Sequence, residues 1–263
     1  YEVYDSFLPD SRFEHVAQLY VFDKKLRLLV LDALERIEIS IRSQIAYQLG
    51  QQDPLAYLRS DMFHHRFTDF GVRKSVSDHH EWLTKQASLL GRSKEDFIEH
   101  HRHKNMLPVP IWVACEVWDF GTTATLYKGL KEVDQDAISI RYGLQNGRIF
   151  ATWLSLLKDL RNICAHHGRL WNRSFSAPEL LPSHVLGWVK HFEQKPETKT
   201  RIFLALCICT HLLAYLSPKS RWSIRLIDLI NNEMPDLSHF GLGVYNMGMS
   251  PNWQDVLQQV KNP

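Results

Sequence analysis

One long apolar stripe points this chain towards a helical fold. Between residues 13 and 49, apolar side chains recur every three or four positions, a spacing that places them on one face of a helix. The stripe comprises Leu26, Val30, Leu34, Ile37, Ile41 and Ile45. Alternation of apolar and polar residues, the pattern of a half-buried strand, is nearly absent elsewhere. We therefore predict an all-α protein whose first helix spans about residues 13–49, with a break near Asp23 and a stop at Gly50.

Breaks marked by proline or glycine divide much of the remaining chain into further helices. We predict core helices at about residues 111–130, 146–167 and 199–216. Inside the first of these segments, Gly121 is expected to end one helix before a shorter one begins. Together with the first helix, these segments form the centre of the predicted bundle.

The other segments are interpreted as peripheral. Residues 51–106 carry many His, Arg, Asp and Ser side chains, which indicates a more polar helical insertion. A further helix is expected to start near Ser183, and residues 217–263 form a peripheral C-terminal part. We assign residues 1–263 to a single helical domain. Since the chain begins at Tyr1 rather than Met, we expect the numbering to start inside a longer protein.

The charge balance restricts the kind of partner. Of the 263 residues, 23% are charged, yet the formal net charge is only +2. A general basic coat is thereby excluded, so a site for a polyanion has to be a local cluster. The 14 histidines are numerous, so the positive charge rises as the pH falls through the range in which imidazole titrates.

The cysteines favour a reducing compartment. All four, Cys115, Cys164, Cys207 and Cys209, lie in apolar segments without CxxC spacing. This pattern argues against a zinc site and against a disulfide framework. The most apolar run, residues 202–216, is too short to span a bilayer comfortably. We expect a cytoplasmic protein with no cofactor, no metal and no membrane partner.

The stretch RNICAHHGRLWNR, Arg161–Arg173, begins in the last turns of a predicted amphipathic helix. On that helix, one apolar face is predicted to contain Trp153, Leu156, Leu157, Leu160, Ile163 and Cys164. Asn162 and His166 lie one turn apart on the opposite side, beside Lys158, and His167 falls near the apolar face. This geometry favours His166 for chemistry and His167 for packing. Lys158 and His167 are also candidates for binding RNA or for supporting the site residues.

An arginine and a histidine at this spacing can bind a phosphate and move a proton. Arg161 offers a fork of donors that keeps its charge, and His166 can accept or donate a proton at a ribose hydroxyl. One helix supplies one such histidine, so a twofold dimer would complete the site. The alternative is a helix end whose cations complement the helix dipole and whose stop is Gly168.

Other polar residues near the motif have two interpretations. Arg169 and Arg173 either bind flanking phosphates or are solvated loop arginines. Glu38 and Arg42 form an exposed ion pair on the first helix, or Glu38 reaches Arg161 and holds it in position.

Paired histidines and scattered cations in the polar insertion are further candidates for a binding site. Adjacent histidines on a helix point about 100° apart, so metal binding by His100, His101 and His103 is not expected. A surface for RNA is the alternative use of this segment, formed by Arg66, Arg73, Lys74, Arg92, Lys94, Arg102 and Lys104. The tryptophans Trp112, Trp118 and Trp153 are interpreted as core rather than as base-stacking residues.

The motif resembles the signature of Abi-like proteins of the abortive infection D/F type. The resemblance includes FATWLSLLKDL just before the motif, LYVFDKKLRLLVLDALERIEISIRSQIAY from Leu19, and LPVPIWVACEVWDFGTTATLY from Leu107. Such proteins belong to the HEPN superfamily of helical ribonucleases, whose pattern is Arg, a polar residue, three of any type, then His. Arg161, Asn162 and His166 match that pattern without a gap.

The resemblance implies a HEPN-type bundle that cleaves RNA without a metal in defence against phage. The ribose 2′-OH would attack and leave a 2′,3′-cyclic phosphate, at a site completed across a homodimer. Arg161 would bind the phosphate, His166 would act as base or acid, and Asn162 would position them. Two alternatives stay open: a non-catalytic module that holds a structured noncoding RNA, and a protein-interaction scaffold.

Overall fold

The computed structural model describes residues 9–71, 75–182 and 184–261. Within these ranges the backbone forms α-helices, short 3-10 turns and three isolated β-bridges, and no strand. The prediction of an all-α fold is thereby confirmed. Arg73, Lys74 and the predicted helix start at Ser183 lie outside the described residues.

Twelve α-helices are present in the described part of the chain. The first is α1, Phe13–Gly50, and the motif helix is α8, Gly147–Ala165. The others are α2 (His65–Thr68), α3 (Asp78–Arg92), α4 (Asp96–His103), α5 (Ile111–Ala114), α6 (Phe120–Gly129), α7 (Glu132–Ser139), α9 (Lys190–Gln194), α10 (Ile202–Leu216), α11 (Trp222–Glu233) and α12 (Trp253–Lys261).

Helix α1 runs without interruption for 38 residues. All six residues of its predicted apolar stripe are at most 1% exposed, so the stripe is buried as expected. The predicted break near Asp23 is wrong. An aspartate weakens a helix when its side chain competes for the local backbone, whereas the Asp23 carboxylate is bound by distant groups described below.

The predicted stop at Gly121 is also wrong, because α6 begins at Phe120 and runs through this glycine to Gly129. Asp119 supplies the reason: its carboxylate accepts a hydrogen bond from the Thr122 N–H at 2.6 Å and so caps the start of α6. The preceding helix ends earlier, in a 3-10 turn at Cys115–Val117.

The chain divides into two compact units. Unit one contains the described residues up to Leu34, Asp159–Ala177 and the described residues from Leu186 onward; unit two contains Glu35–Lys158 and Pro178–Val185. Helices α1 and α8 each supply residues to both units. The assignment of the whole chain to a single domain stays a prediction.

Unit one has α10 at its centre. Every residue from Ile202 to Leu213 is buried, and α10 packs on α12, which also contacts α11. The Trp222 indole N–H donates to the Leu29 carbonyl oxygen at 2.7 Å, which ties α11 to the first part of α1. No helix among the described residues is long and apolar enough to cross a membrane.

Unit two is built around α3 and α6. The rings of Trp82 and Trp118 meet edge to face at 5.3 Å, and the Trp82 indole donates to the Thr122 carbonyl oxygen at 2.9 Å. The tryptophans were predicted to be core residues, and Trp118 and Trp153 are buried. For Trp112 the prediction is wrong: it lies on the one-turn helix α5 and is 51% exposed.

Candidate functional site

Helix α8 buries the face that its sequence predicts. Trp153, Leu156, Leu157, Leu160 and Cys164 are at most 5% exposed, and Ile163 is half-buried. Close packing surrounds the start of the helix, where a Cβ on Gly147 would lie 2.4 Å from the Gln135 Cβ. The Gly147 N–H also donates to the Asp136 carboxylate at 2.7 Å. The register of α8 is therefore set by packing as well as by its apolar face.

The motif helix ends at Ala165, two residues before the predicted end. The His167 N–H donates to the Cys164 carbonyl oxygen at 3.2 Å, and the Gly168 N–H donates to the Ile163 carbonyl oxygen at 2.9 Å. This pair of bonds is a Schellman motif, which requires a left-handed residue just after the helix. That residue is His167, with φ of +57°, and not the glycine that follows it.

The predicted packing role of His167 is wrong, since its side chain is exposed. A helical wheel assumes that the helix continues through this position, and the left-handed turn removes His167 from the wheel. A histidine pays a steric cost in this conformation that glycine does not. Exposed and strained, His167 joins His166 as a candidate for chemistry.

Arg161 and Asn162 lie in the last turn of α8, and His166 follows directly after its end. Asn162 and His166 are exposed, one turn apart, and Arg161 is half-buried. Within the described ranges, no hydrogen bond or ion pair engages these three side chains. Asn162 and His166 are therefore accessible to a ligand, and Arg161 is partly accessible. Cations at this end of a helix are also favoured by the helix dipole.

A buried ion pair on α1 holds the loop that follows the motif helix. Asp23 and Arg27 are 4% and 5% exposed, and the Arg27 guanidinium donates to the Asp23 carboxylate. Asp23 also accepts hydrogen bonds from the N–H groups of Leu170, at 3.0 Å, and Trp171, at 2.7 Å. Arg27 additionally donates to the Gly168 carbonyl oxygen at 3.4 Å.

These contacts fix residues 168–171 directly after the two histidines. We call Asp23 and Arg27 the loop clamp. Neither residue is among the predicted site residues, although an Asp followed four positions later by an Arg on a helix is the spacing of an ion pair. Burial raises the pKa of the neighbouring Cys164 thiol to about 12, so Cys164 is not a nucleophile at neutral pH.

Two further arginines of the motif, Arg169 and Arg173, follow the end of α8. A Cβ on Gly168 would lie 3.5 Å from a guanidinium nitrogen of Arg173. The Arg173 guanidinium therefore lies against the turn at His167 and Gly168, which we call the motif turn. Arg173 and Arg169 are both exposed. Arg173 therefore lies beside the turn that ends α8, and the phosphate-binding role of Arg169 and Arg173 stays a prediction.

The remaining predicted site residues have other surroundings. Lys158 is half-buried on α8, one turn before Asn162. The Glu38 carboxylate lies 3.3 Å from the Arg42 guanidinium, so the predicted ion pair forms, but it is half-buried and not exposed as predicted. A contact between Glu38 and Arg161 stays a prediction. Arg102, part of the predicted RNA surface in the polar insertion, donates instead to the carbonyl oxygens of Gly91 and Ser93, each at 3.1 Å.

Fold and site together define an all-α protein with an accessible Arg, Asn and His group at a clamped helix end. The sequence profile of the Abi-like protein family matches residues 2–172, and the chain belongs to that family. The matched segment includes α1, the loop clamp and the motif as far as Asn172. No curated protein and no solved structure matches the chain.

Proposed function

We propose that this protein is a metal-independent endoribonuclease of the HEPN type that acts in abortive-infection defence against phage, in the cytoplasm. Membership of the Abi-like family fits that biological role. The observation that carries the chemical proposal is the end of α8, where Arg161, Asn162 and His166 are accessible and the loop behind them is clamped. A site held by buried contacts loses little freedom when it binds a ligand.

Each side chain has a distinct role in the proposed reaction. The ribose 2′-oxygen attacks the adjacent phosphorus while the bond to the 5′-oxygen breaks, which yields a 2′,3′-cyclic phosphate and a 5′-hydroxyl. Arg161 binds the phosphate oxygens and stabilises the charge that develops on them. His166 takes the proton of the 2′-OH or delivers one to the 5′-oxygen. Asn162 positions the phosphate between them.

In-line attack profits from a second proton-transfer group on the far side of the phosphate. We propose that a second copy of the chain supplies it through its own His166, in a homodimer related by a twofold axis. The exposed His167 offers another source within one chain. Cleavage whose specific rate rises with protein concentration would support the dimer, and light scattering would give the mass of the active species.

The decisive experiment compares Arg161→Ala and His166→Ala with the wild-type protein on single-stranded RNA in excess EDTA. Each variant should lose at least about a hundredfold in rate, the usual contribution of one proton-transfer or phosphate-binding group. His184→Ala is the matched control, since His184 is an exposed histidine outside the motif. Products should carry cyclic phosphate ends. Undiminished cleavage by both motif variants would refute the assignment.

A non-catalytic RNA-binding module is the second candidate. It is favoured by one observation: no described residue hydrogen-bonds the His166 imidazole, whereas a general base is usually oriented by a neighbour. This candidate predicts copurification with one discrete RNA and no turnover by the wild-type protein. Arg161→Ala would then release the RNA, and the affinity would fall steeply with salt.

A further inference from the structure

The start of α1 exposes an apolar strip. Phe13, Val16 and Tyr20 are 87%, 63% and 63% exposed, at spacings of three and four that place them on one face. Single exposed apolar residues are ordinary on protein surfaces, whereas a contiguous strip indicates a binding surface. The three residues therefore form a candidate contact surface, which we call the α1 strip.

Contacts with the loop clamp link the end of this strip to the motif. The Arg27 guanidinium carbon lies 5.9 Å from the centre of the Tyr20 ring, in a cation-π contact. The same guanidinium donates to the Gly168 carbonyl oxygen at 3.4 Å. One buried side chain thus contacts both an exposed aromatic ring and the turn that follows His166 and His167.

Exposed cations lie near both groups that Arg27 contacts, the Tyr20 ring and Gly168. Lys24 is exposed one turn further along α1, and the Arg173 guanidinium lies against Gly168. An aromatic ring beside cations is the arrangement by which proteins bind single-stranded nucleic acid, because bases stack on the ring while the cations bind the backbone. A protein partner would gain from these cations only through acidic side chains of its own, whereas every nucleotide of an RNA carries a phosphate.

We infer that Tyr20 stacks on a nucleobase of single-stranded RNA next to the phosphate bound at the motif. The inference rests on the proposed function, since it assumes that RNA occupies the end of α8. It predicts a preference for unpaired RNA, because a base inside a duplex has no free face to offer the ring. Tyr20 is a binding residue in this scheme and takes no part in proton transfer.

The test combines kinetics with a direct probe of stacking. Tyr20→Leu keeps apolar cover over Arg27 but removes the aromatic face, and Tyr20→Phe keeps the face. Tyr20→Leu should raise KM for a single-stranded oligonucleotide by about 5- to 150-fold, the contribution of one stacked base, with kcat little changed. Tyr20→Phe should resemble the wild-type protein. Tyr245→Ala is the matched control, as Tyr245 is 57% exposed in the same unit.

Stacking itself is followed with 2-aminopurine oligoribonucleotides bound to the His166→Ala variant, which prevents turnover. The fluorescence should be quenched with 2-aminopurine at one position of the RNA, and the quenching should disappear when Tyr20→Leu is added to His166→Ala. An unchanged KM and unchanged quenching in Tyr20→Leu would overturn the inference while leaving the endoribonuclease proposal intact.

Two further outcomes separate the explanations. A smaller particle mass for Tyr20→Leu with unchanged RNA affinity would assign the α1 strip to contact between two copies of the chain, and would also overturn the inference. Absence of cleavage and of RNA binding by the wild-type protein would instead refute the proposed function, and the stacking role with it.

Discussion

Replacing Asp23 by asparagine would test whether the loop clamp determines the stability of unit one. The exchange keeps the size of the side chain and removes its negative charge. The asparagine oxygen can still accept from the Leu170 and Trp171 N–H groups, whereas its NH2 group would face the Arg27 guanidinium. The variant therefore leaves a buried cation without its counter-ion.

The expected loss follows from the burial of the pair. The side chains of Asp23 and Arg27 are 5% and 6% exposed, so water screens their interaction little. Breaking a buried pair from one side costs about 3–5 kcal/mol of unfolding free energy, because the remaining charge stays unpaired. The hydrogen bonds from the Trp171 and Leu170 N–H groups, at 2.7 Å and 3.0 Å, are partly kept in the variant. We therefore expect a loss of about 3 kcal/mol of unfolding free energy. Typical total stabilities are about 5–15 kcal/mol, so the loss is large.

Urea unfolding followed by far-UV circular dichroism measures this loss. With a slope of about 3 kcal/mol per molar, the midpoint should fall by about 1 M. Asp32→Asn is a matched control on the same helix, because Asp32 forms an exposed ion pair with Arg225 and such pairs contribute about 0–1 kcal/mol. The double variant Asp23→Asn/Arg27→Met removes the unpaired cation and should recover part of the loss. If Asp23→Asn is as stable as Asp32→Asn, the clamp does not stabilise the loop as described.

Three further predictions concern the strained histidine, the start of α8 and a buried imidazole. His167→Gly should raise the unfolding free energy, measured in urea, by about 1 kcal/mol, because glycine accepts the left-handed conformation freely. Reduced RNA cleavage by this more stable variant would show that the His167 side chain acts in the reaction. A lower stability would contradict the strain at His167. Gly147→Ala should lower the melting temperature and the unfolding free energy, the latter by about 1–3 kcal/mol, since the alanine Cβ would collide with Gln135. An unchanged melting temperature would contradict that packing. Burial lowers the pKa of His79, whose Nε2 lies 2.9 Å from the Tyr57 carbonyl oxygen, so the unfolded chain binds more protons than the folded one. The stability that neutral His79 contributes is therefore present above about pH 6.5 and is lost as the pH falls below that value. In His79→Gln, the urea midpoint should fall less between neutral and acidic pH than in the wild-type protein.

Much of the fold was predictable because helix periodicity is a local property. The stripe on α1 and the apolar face of α8 both follow from spacings of three and four, and both are buried. The burial of all four cysteines follows from the apolar segments that contain them. The exposure of Asn162 and His166 follows from the same wheel, since the side opposite an apolar face meets solvent. The sequence by itself therefore determined the fold class, the family and the polar side of the motif helix.

The arrangement around the motif depended on contacts between residues far apart in the chain. Asp23 contacts the backbone of Leu170, 147 positions later, and the local spacing of Asp23 and Arg27 carries no information about this distant partner. The left-handed turn at His167 is followed directly by Gly168, whose carbonyl oxygen accepts a hydrogen bond from Arg27, 141 positions earlier in the chain. The place of Tyr20 beside the motif turn depends on Arg27, which bridges two segments that only folding brings together. Tertiary structure alone decided these features, because each requires a partner whose distance in sequence carries no information about its distance in space.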